Sequence, residues 1–175
     1  SDAVCFGPLA QRGAVSAVAI GQFIENTRTD CLKVFDVNLR GDYFSAELID
    51  ASLHHCSILK ISDEELPVVA DLLGVSGSNE DIAAEILKCY PLQYVVLTLG
   101  KKGSAAYDGK TVCKVPIYDS GPVVDTVGCG DSFTASLTVC LLQGVQIEDA
   151  MEQAAKVAGD VASCPGAMPE IPDLI

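Results

Sequence analysis

Apolar residues recur along the chain in two alternating rhythms. Compact runs rich in Val, Ile, Leu or Phe, "AVCF" (3–6), "LKVFDV" (32–37), "SILKI" (57–61) and "YVVLTL" (94–99), are bounded by turn residues. Their length and composition predict strands buried on both faces. Between them, residues 11–28, 45–54, 63–73 and 79–89 carry apolar side chains at spacings of three and four, the period of one helix face. Ser62, followed three residues later by Glu65, has the form of a capping box ahead of the third helix. Strand and helix alternate, so this part of the chain predicts a parallel sheet with helices on its faces.

After Gly100 the rhythm changes. "SAAYDGKTVCKVPIY" sets "DGK" between two short β-type runs and predicts a hairpin that gives the sheet a mixed edge. Residues 130–143 and 147–163 return to helical spacing, with Gly144 between them as the stop of the first. No repeat or low-complexity linker divides the sequence, and the expectation is one domain over residues 1–175. The chain enters a strand almost at its first residue, as a portion of a longer fold would.

Composition narrows the partners. Apolar residues make up 49% of the chain and charged residues 20%, the balance of a compact folded domain. A net charge of −13 argues against nucleic acid, which needs a basic face. An anionic small molecule would have to be met by backbone amides, a metal ion or a few local cations. The 8 cysteines are spread evenly, with no Cys-x-x-Cys pair and no nearby histidine to complete a zinc set. They read as reduced, apolar thiols of a cytoplasmic chain. No run reaches the roughly 18 apolar residues of a membrane span, and nothing at the start resembles an export signal, so no membrane partner is expected. His54 and His55 have no acid or serine in register for a hydrolase triad.

The stretch "DTVGCGDSF" (125–133) concentrates the candidate chemistry. It can be read as a helix cap, a metal site or a phosphate cradle that carries its own base. Gly128 and Gly130 permit backbone angles closed to other residues and let a ligand approach the main chain. Amides converging at a helix start form an anion site strengthened by the helix dipole. Asp131 ends the turn, where a carboxylate could take a proton from a substrate hydroxyl attacking phosphorus. From Lys114 to the end the only other basic side chain is Lys156. Arg40 and Lys60, at the ends of two predicted strands, are therefore the candidate cations for a phosphate. A dinucleotide fingerprint would need glycine where Phe133 stands, and no Gly-Lys-Ser/Thr of a Walker loop follows.

"DTVGCGDSFTAS" resembles the Asp-Thr-x-Gly-Ala-Gly-Asp signature of the PfkB, or ribokinase-like, carbohydrate kinases. "FDVNLR" (35–40), "LKISDEEL" (59–66) and "LTLGKKGS" (97–104) resemble the family's Asp-x-Asn-x-Arg strand, its Asn-x-x-Glu segment and its nucleotide loop, in that order. "CPGAMPEIP" (164–172) is similar to the tail of the fructokinase-like branch. The resemblance implies a three-layer α/β/α ribokinase-like fold, mostly parallel with a β-hairpin edge. It also implies an ATP-dependent sugar kinase with magnesium as cofactor. In that family's terms Asp131 is the catalytic base, also touching the sugar, and the amides of Gly128, Cys129 and Gly130 form the anion hole. Arg40 approaches the phosphates and Glu65 organises magnesium. Thr98, Gly100 and Gly103 border the nucleotide, and the segment from Val157 to Gly166 walls the adenine.

Three departures bear on these roles. Cys129 replaces the family's alanine, and Ser62 stands where the family often has asparagine. The N-terminal strands, sugar-binding segment and lid that precede the matched region in the family have no counterpart in these 175 residues. That lid shields phosphoryl transfer from water. The chain alone is therefore expected to show weak sugar kinase activity or none, and a second copy of itself is a candidate partner through an uncovered edge or apolar face. A non-catalytic nucleotide- or protein-binding module, or a kinase of nucleosides or other small alcohols, are the alternatives.

Overall fold

The computed structural model describes residues 1–170; the last two residues of the "CPGAMPEIP" tail lie outside them. Six strands lie side by side in the order β1 (Ala3–Phe6), β2 (Leu32–Asp36), β3 (Ile58–Ser62), β4 (Tyr94–Thr98), β5 (Ser104–Tyr107) and β6 (Val112–Val115). The first four pair in parallel, with Phe6 opposite Phe35, Asp36 opposite Lys60 and Ser62 opposite Thr98. Four residues join the neighbouring strands β5 and β6, too few for a parallel crossover, so the expected hairpin forms. Asp108 ties its turn by accepting from the Lys110 and Thr111 amides at 2.8 and 2.6 Å.

Six helices accompany the strands: α1 (Ala14–Glu25), α2 (Ala46–His55), α3 (Leu66–Leu73), α4 (Asn79–Cys89), α5 (Cys129–Leu142) and α6 (Ile147–Ala162). Their ends follow from side chains and glycines. The Ser45 hydroxyl accepts from the Leu48 amide to open α2, and Ser78 with Asp81 forms a full capping box on α4. Gly74, at φ +69°, ends α3. Gly144, at φ +78°, follows α5, where the Val145 amide reaches back to the Cys140 carbonyl at 3.0 Å.

The box expected at Ser62 and Glu65 closes a turn instead. Ser62 is the last residue of β3, its hydroxyl bonds Glu65 Oε2 at 2.8 Å, and α3 starts only at Leu66. The same two residue types at the same spacing satisfy a turn as readily as a helix start.

The described residues pack as two compact units, Ser1–Thr98 with Ala106–Val112, and Leu99–Ala105 with the residues from Cys113 onward. The core of the first includes Phe35, Leu53, Ile58, Leu59, Leu66 and Ile86, all fully buried. In the second, α5 packs along α6 and buries Phe133, Leu137, Met151 and Ala154. Among the described residues no helix is long and apolar enough to cross a membrane.

Candidate active site

The first unit holds the charged groups that the sequence assigned to strand ends. Lys60 is not at an end. It sits inside β3, and its ammonium lies 3.0 Å from Asp36 of β2, with only 9% and 16% of the two side chains exposed. The strand register that puts Asp36 opposite Lys60 makes this pair, so Lys60 is already neutralised and is not the expected phosphate cation.

One residue beyond the Val37 amide, which donates to the Lys60 carbonyl at 3.1 Å, Asn38 turns the backbone at φ +36°. A non-glycine residue in that region is uncommon and is held there by its surroundings. Glu65 supplies part of the hold. Its Oε1 accepts from the Leu39 amide at 2.8 Å, and its Oε2 accepts from the Ser62 amide at 3.0 Å. With the Ser62 hydroxyl, three donors converge on one carboxylate, and direct metal coordination would compete with them. Among the described residues no three acidic, histidine or cysteine side chains cluster as metal ligands. The donor set does not fit a resident magnesium ion held by the protein itself. Arg40 is exposed, and among the described residues its guanidinium bonds only the Leu39 carbonyl, at 3.1 Å. Thr98 closes β4, and its carbonyl accepts from the Asp63 amide at 2.9 Å.

In the second unit, Gly100 and Gly103 bracket a short 3₁₀ turn at φ +54° and +92°. A Cβ on Gly103 would overlap the Val115 carbonyl and stand 2.8 Å from Pro116 Cα. Packing against the end of β6 alone therefore requires glycine at 103.

The glycine turn is built from Asp125 onward. The Asp125 carboxylate accepts from the Val127 amide at 3.0 Å and from the Gly166 amide at 3.2 Å. These backbone donors, Val127 first, hold its pKa below the usual carboxylate range. Gly128 then takes φ +82° and becomes the residue before α5. A Cβ there would collide with the Ala167 carbonyl and sit 2.8 Å from Ala167 Cα. Position 128 is thus glycine twice over, for its backbone angle and for the tail lying against it.

The first bond of α5 runs from the Ser132 amide to the Gly128 carbonyl at 2.8 Å. Amides before Ser132 have no partner within the helix. The Cys129 amide gives a long 3.3 Å bond to the Thr126 carbonyl, and the N–H groups of Gly128, Gly130 and Asp131 have no acceptor among the described residues. The open donors among the described residues are thus those of Gly128, Gly130 and Asp131, all within the stretch 128–131 that the sequence points to, while the Cys129 amide is engaged.

Asp131 lies in the first turn of α5, exposed. No side chain caps this helix, so the cap reading of Asp131 does not hold. Its carboxylate has no hydrogen-bond or ion-pair partner among the described residues. Cys129, half-buried beside it, has its thiol pKa raised by burial and then by the Asp125 charge, which disfavours a reactive thiolate.

The sequence pointed to the segment from Val157 to Gly166 but not to the loop that lies along it. Val157 is half-buried, and Gly166, at φ +83°, is tied to Asp125. The amides of Val124 and Asp125 both donate to the Ala162 carbonyl, at 2.8 and 3.2 Å. The loop ahead of the glycine turn exposes Ile117, Tyr118, Val123, Val124 and Val127.

Comparison with known proteins follows this geometry. Residues 14–174 match the pfkB family carbohydrate kinases. Ribokinase of Arabidopsis thaliana is 36% identical over 97 residues, 54% of this chain and 26% of that one. The fructokinase of Xylella fastidiosa with bound ATP superposes at TM-score 0.83 and 18% identity, covering 95% of this chain and 57% of that one. Aminoimidazole riboside kinase of Salmonella enterica, complexed with aminoimidazole riboside and an ATP analog, gives 0.79 and 23% over 94% and 57%. At such identities the two structures carry the fold alone, the six-stranded, mostly parallel ribokinase-like sheet with its helices. The chain spans less than two thirds of each of these relatives. With the family match running over nearly all of it, and the Gly128 turn and Asp131 in the arrangement described, the chain belongs to the pfkB family of carbohydrate kinases.

Proposed function

We propose that this chain is the catalytic, nucleotide-handling portion of an ATP-dependent kinase that phosphorylates a hydroxyl of a sugar. The observation that carries the reading is in the second unit: an exposed, unpartnered Asp131 carboxylate in the turn whose Gly130 and Asp131 amides have no acceptor. A carboxylate without a partner can accept the proton of an attacking hydroxyl. Amides at a helix N-terminus stabilise charge gathering on the transferred phosphoryl group, which is most of what such a reaction asks of a protein.

Gly128 and Cys129 complete the turn, and Val157 and Gly166 are the proposed adenine side. Magnesium, as a partner of the nucleotide's phosphates, would supply charge neutralisation there. Glu65 acts as a brace of its own unit. Arg40, exposed and with no acid partner among the described residues, is the proposed phosphate cation of the first unit.

The test uses the protein at its full natural length with ATP, magnesium and a panel of sugars and nucleosides. Asp131→Ala is expected to lower kcat by about 10²- to 10⁴-fold with the KM for ATP little changed. Turnover equal to wild type would remove Asp131 from its role. A nucleoside preferred over every sugar would move the substrate class towards that of the aminoimidazole riboside kinase it resembles in fold.

A further inference from the structure

The loop from Tyr118 to Gly128 lies along the second half of α6 in matched order, and one side-chain pair fixes it there. The Tyr118 carbonyl rests where a Cβ on Gly159 would stand, 2.5 Å from it. The Ser120 hydroxyl donates to Asp160 Oδ1 at 2.5 Å, both residues half-buried. The Val124 and Asp125 amides then share the Ala162 carbonyl, and Gly128 meets Ala167.

Apart from the Lys156 ammonium, 6.0 Å from the centre of the Tyr118 ring, the other ties are made by backbone groups or by room left for them, which many sequences could supply. Ser120 with Asp160 is the only side-chain-to-side-chain hydrogen bond of this run among the described residues. Asp160 is also the single charged residue between Val157 and Met168. Asp160 stands in the last turn of α6, where a carboxylate gains nothing from the helix dipole. What it touches is the loop that leads into the glycine turn.

We propose that Asp160 is a positioning residue for the anion cradle: by latching Ser120 it holds the loop on α6 and so sets the Gly128 turn against Ala167. This rests on the kinase reading above, and it adds two residues, Ser120 and Asp160, to which neither the sequence signature nor the turn itself pointed. With the latch open, the backbone ties at Ala162 and the Lys156 contact with Tyr118 have to hold the loop, and the open amides of the turn lose their fixed direction.

The experiment compares Asp160→Ala, Ser120→Ala, the double variant and Asp160→Asn, which keeps an acceptor oxygen at the same place. Protection of the Val124, Asp125 and Val127 amides is read by hydrogen exchange, and ATP affinity is read by titration with MgATP. Each alanine variant is expected to exchange at least tenfold faster at those amides and to bind ATP about tenfold more weakly. The double variant is expected to be no worse than either single one, and Asp160→Asn to stay within threefold of wild type in both readouts. Unchanged exchange in both alanine variants overturns the latch. Faster exchange with ATP affinity within twofold of wild type overturns its role in positioning the cradle. A wild-type chain that binds no ATP overturns the nucleotide reading itself, while the exchange measurement still decides whether the latch holds the loop. Ser120→Ala removes one loop hydroxyl, so a folding failure of Asp160→Ala leaves the question answerable.

Discussion

At the scale of single residues, charge placement decides most outcomes. Lys60 and Asp36 face each other across two neighbouring strands, so removing the buried lysine takes the opposite charge from a half-buried carboxylate. Lys60→Met is expected to cost about 3 kcal/mol of stability, read as a fall in the urea midpoint with unchanged slope; a loss under about 1 kcal/mol would mean that water or other groups satisfy Asp36 without the lysine. Asp125 answers to pH. Its folded pKa is held below the unfolded value of about 3.9 by the Val127 and Gly166 amides, so its contribution is present above that value and is lost as pH falls through the folded one. Protection factors of the Val127 and Gly166 amides should therefore drop below about pH 4, and protection that persists into stronger acid would contradict the assignment. The glycine turn was legible in the sequence because everything it needs is local: two glycines, an acid and an apolar helix. The pairing of Lys60 was not, because its partner lies 24 residues away on the neighbouring strand, and only strand register brings them together.

At the scale of elements, the strands and helices appear within a few residues of where apolar periodicity puts them, since burial on one face or two is what that pattern encodes. Starts were harder. Ser62 and Glu65 carry the box pattern but close a turn, while Ser78 and Asp81, with the shorter acid, cap α4. Glu65 also takes the Leu39 amide, so it joins the exit of β2 to the exit of β3. Glu65→Ala is expected to destabilise by about 2 kcal/mol, since three donors lose a charged acceptor. It should also raise exchange at the Leu39 amide beyond the change in global stability. Leu39 exchange that follows global unfolding alone would make Glu65 an ordinary turn residue. The latch along α6 could not be read from sequence for the same reason as the Lys60 pair: Ser120 and Asp160 stand 40 residues apart.

At the scale of the whole molecule, the −13 net charge keeps copies apart, and one feature works against it. Helix α1 carries no charged residue before Glu25, and Val15, Val18 and Phe23 are 86%, 60% and 52% exposed. Beside it in sequence, β1 pairs with β2 alone among the described residues. In the 175-residue chain by itself, such an edge and an apolar helix invite self-association. Sedimentation is expected to show concentration-dependent dimers or larger species that Val15→Lys with Val18→Lys disperses; a monomer at every concentration would refute this. The cysteines give a handle on the same edge. Cys31 and Cys56 are buried, the latter with its thiol pushed up to about 12 by desolvation, whereas Cys5 lies exposed on β1. A bulky maleimide therefore reaches Cys5 as it reaches the equally exposed Cys89, and wherever it lands on Cys5 it doubles as a wedge: one reagent both tags the chain for microscopy and keeps its border strand from zipping to another.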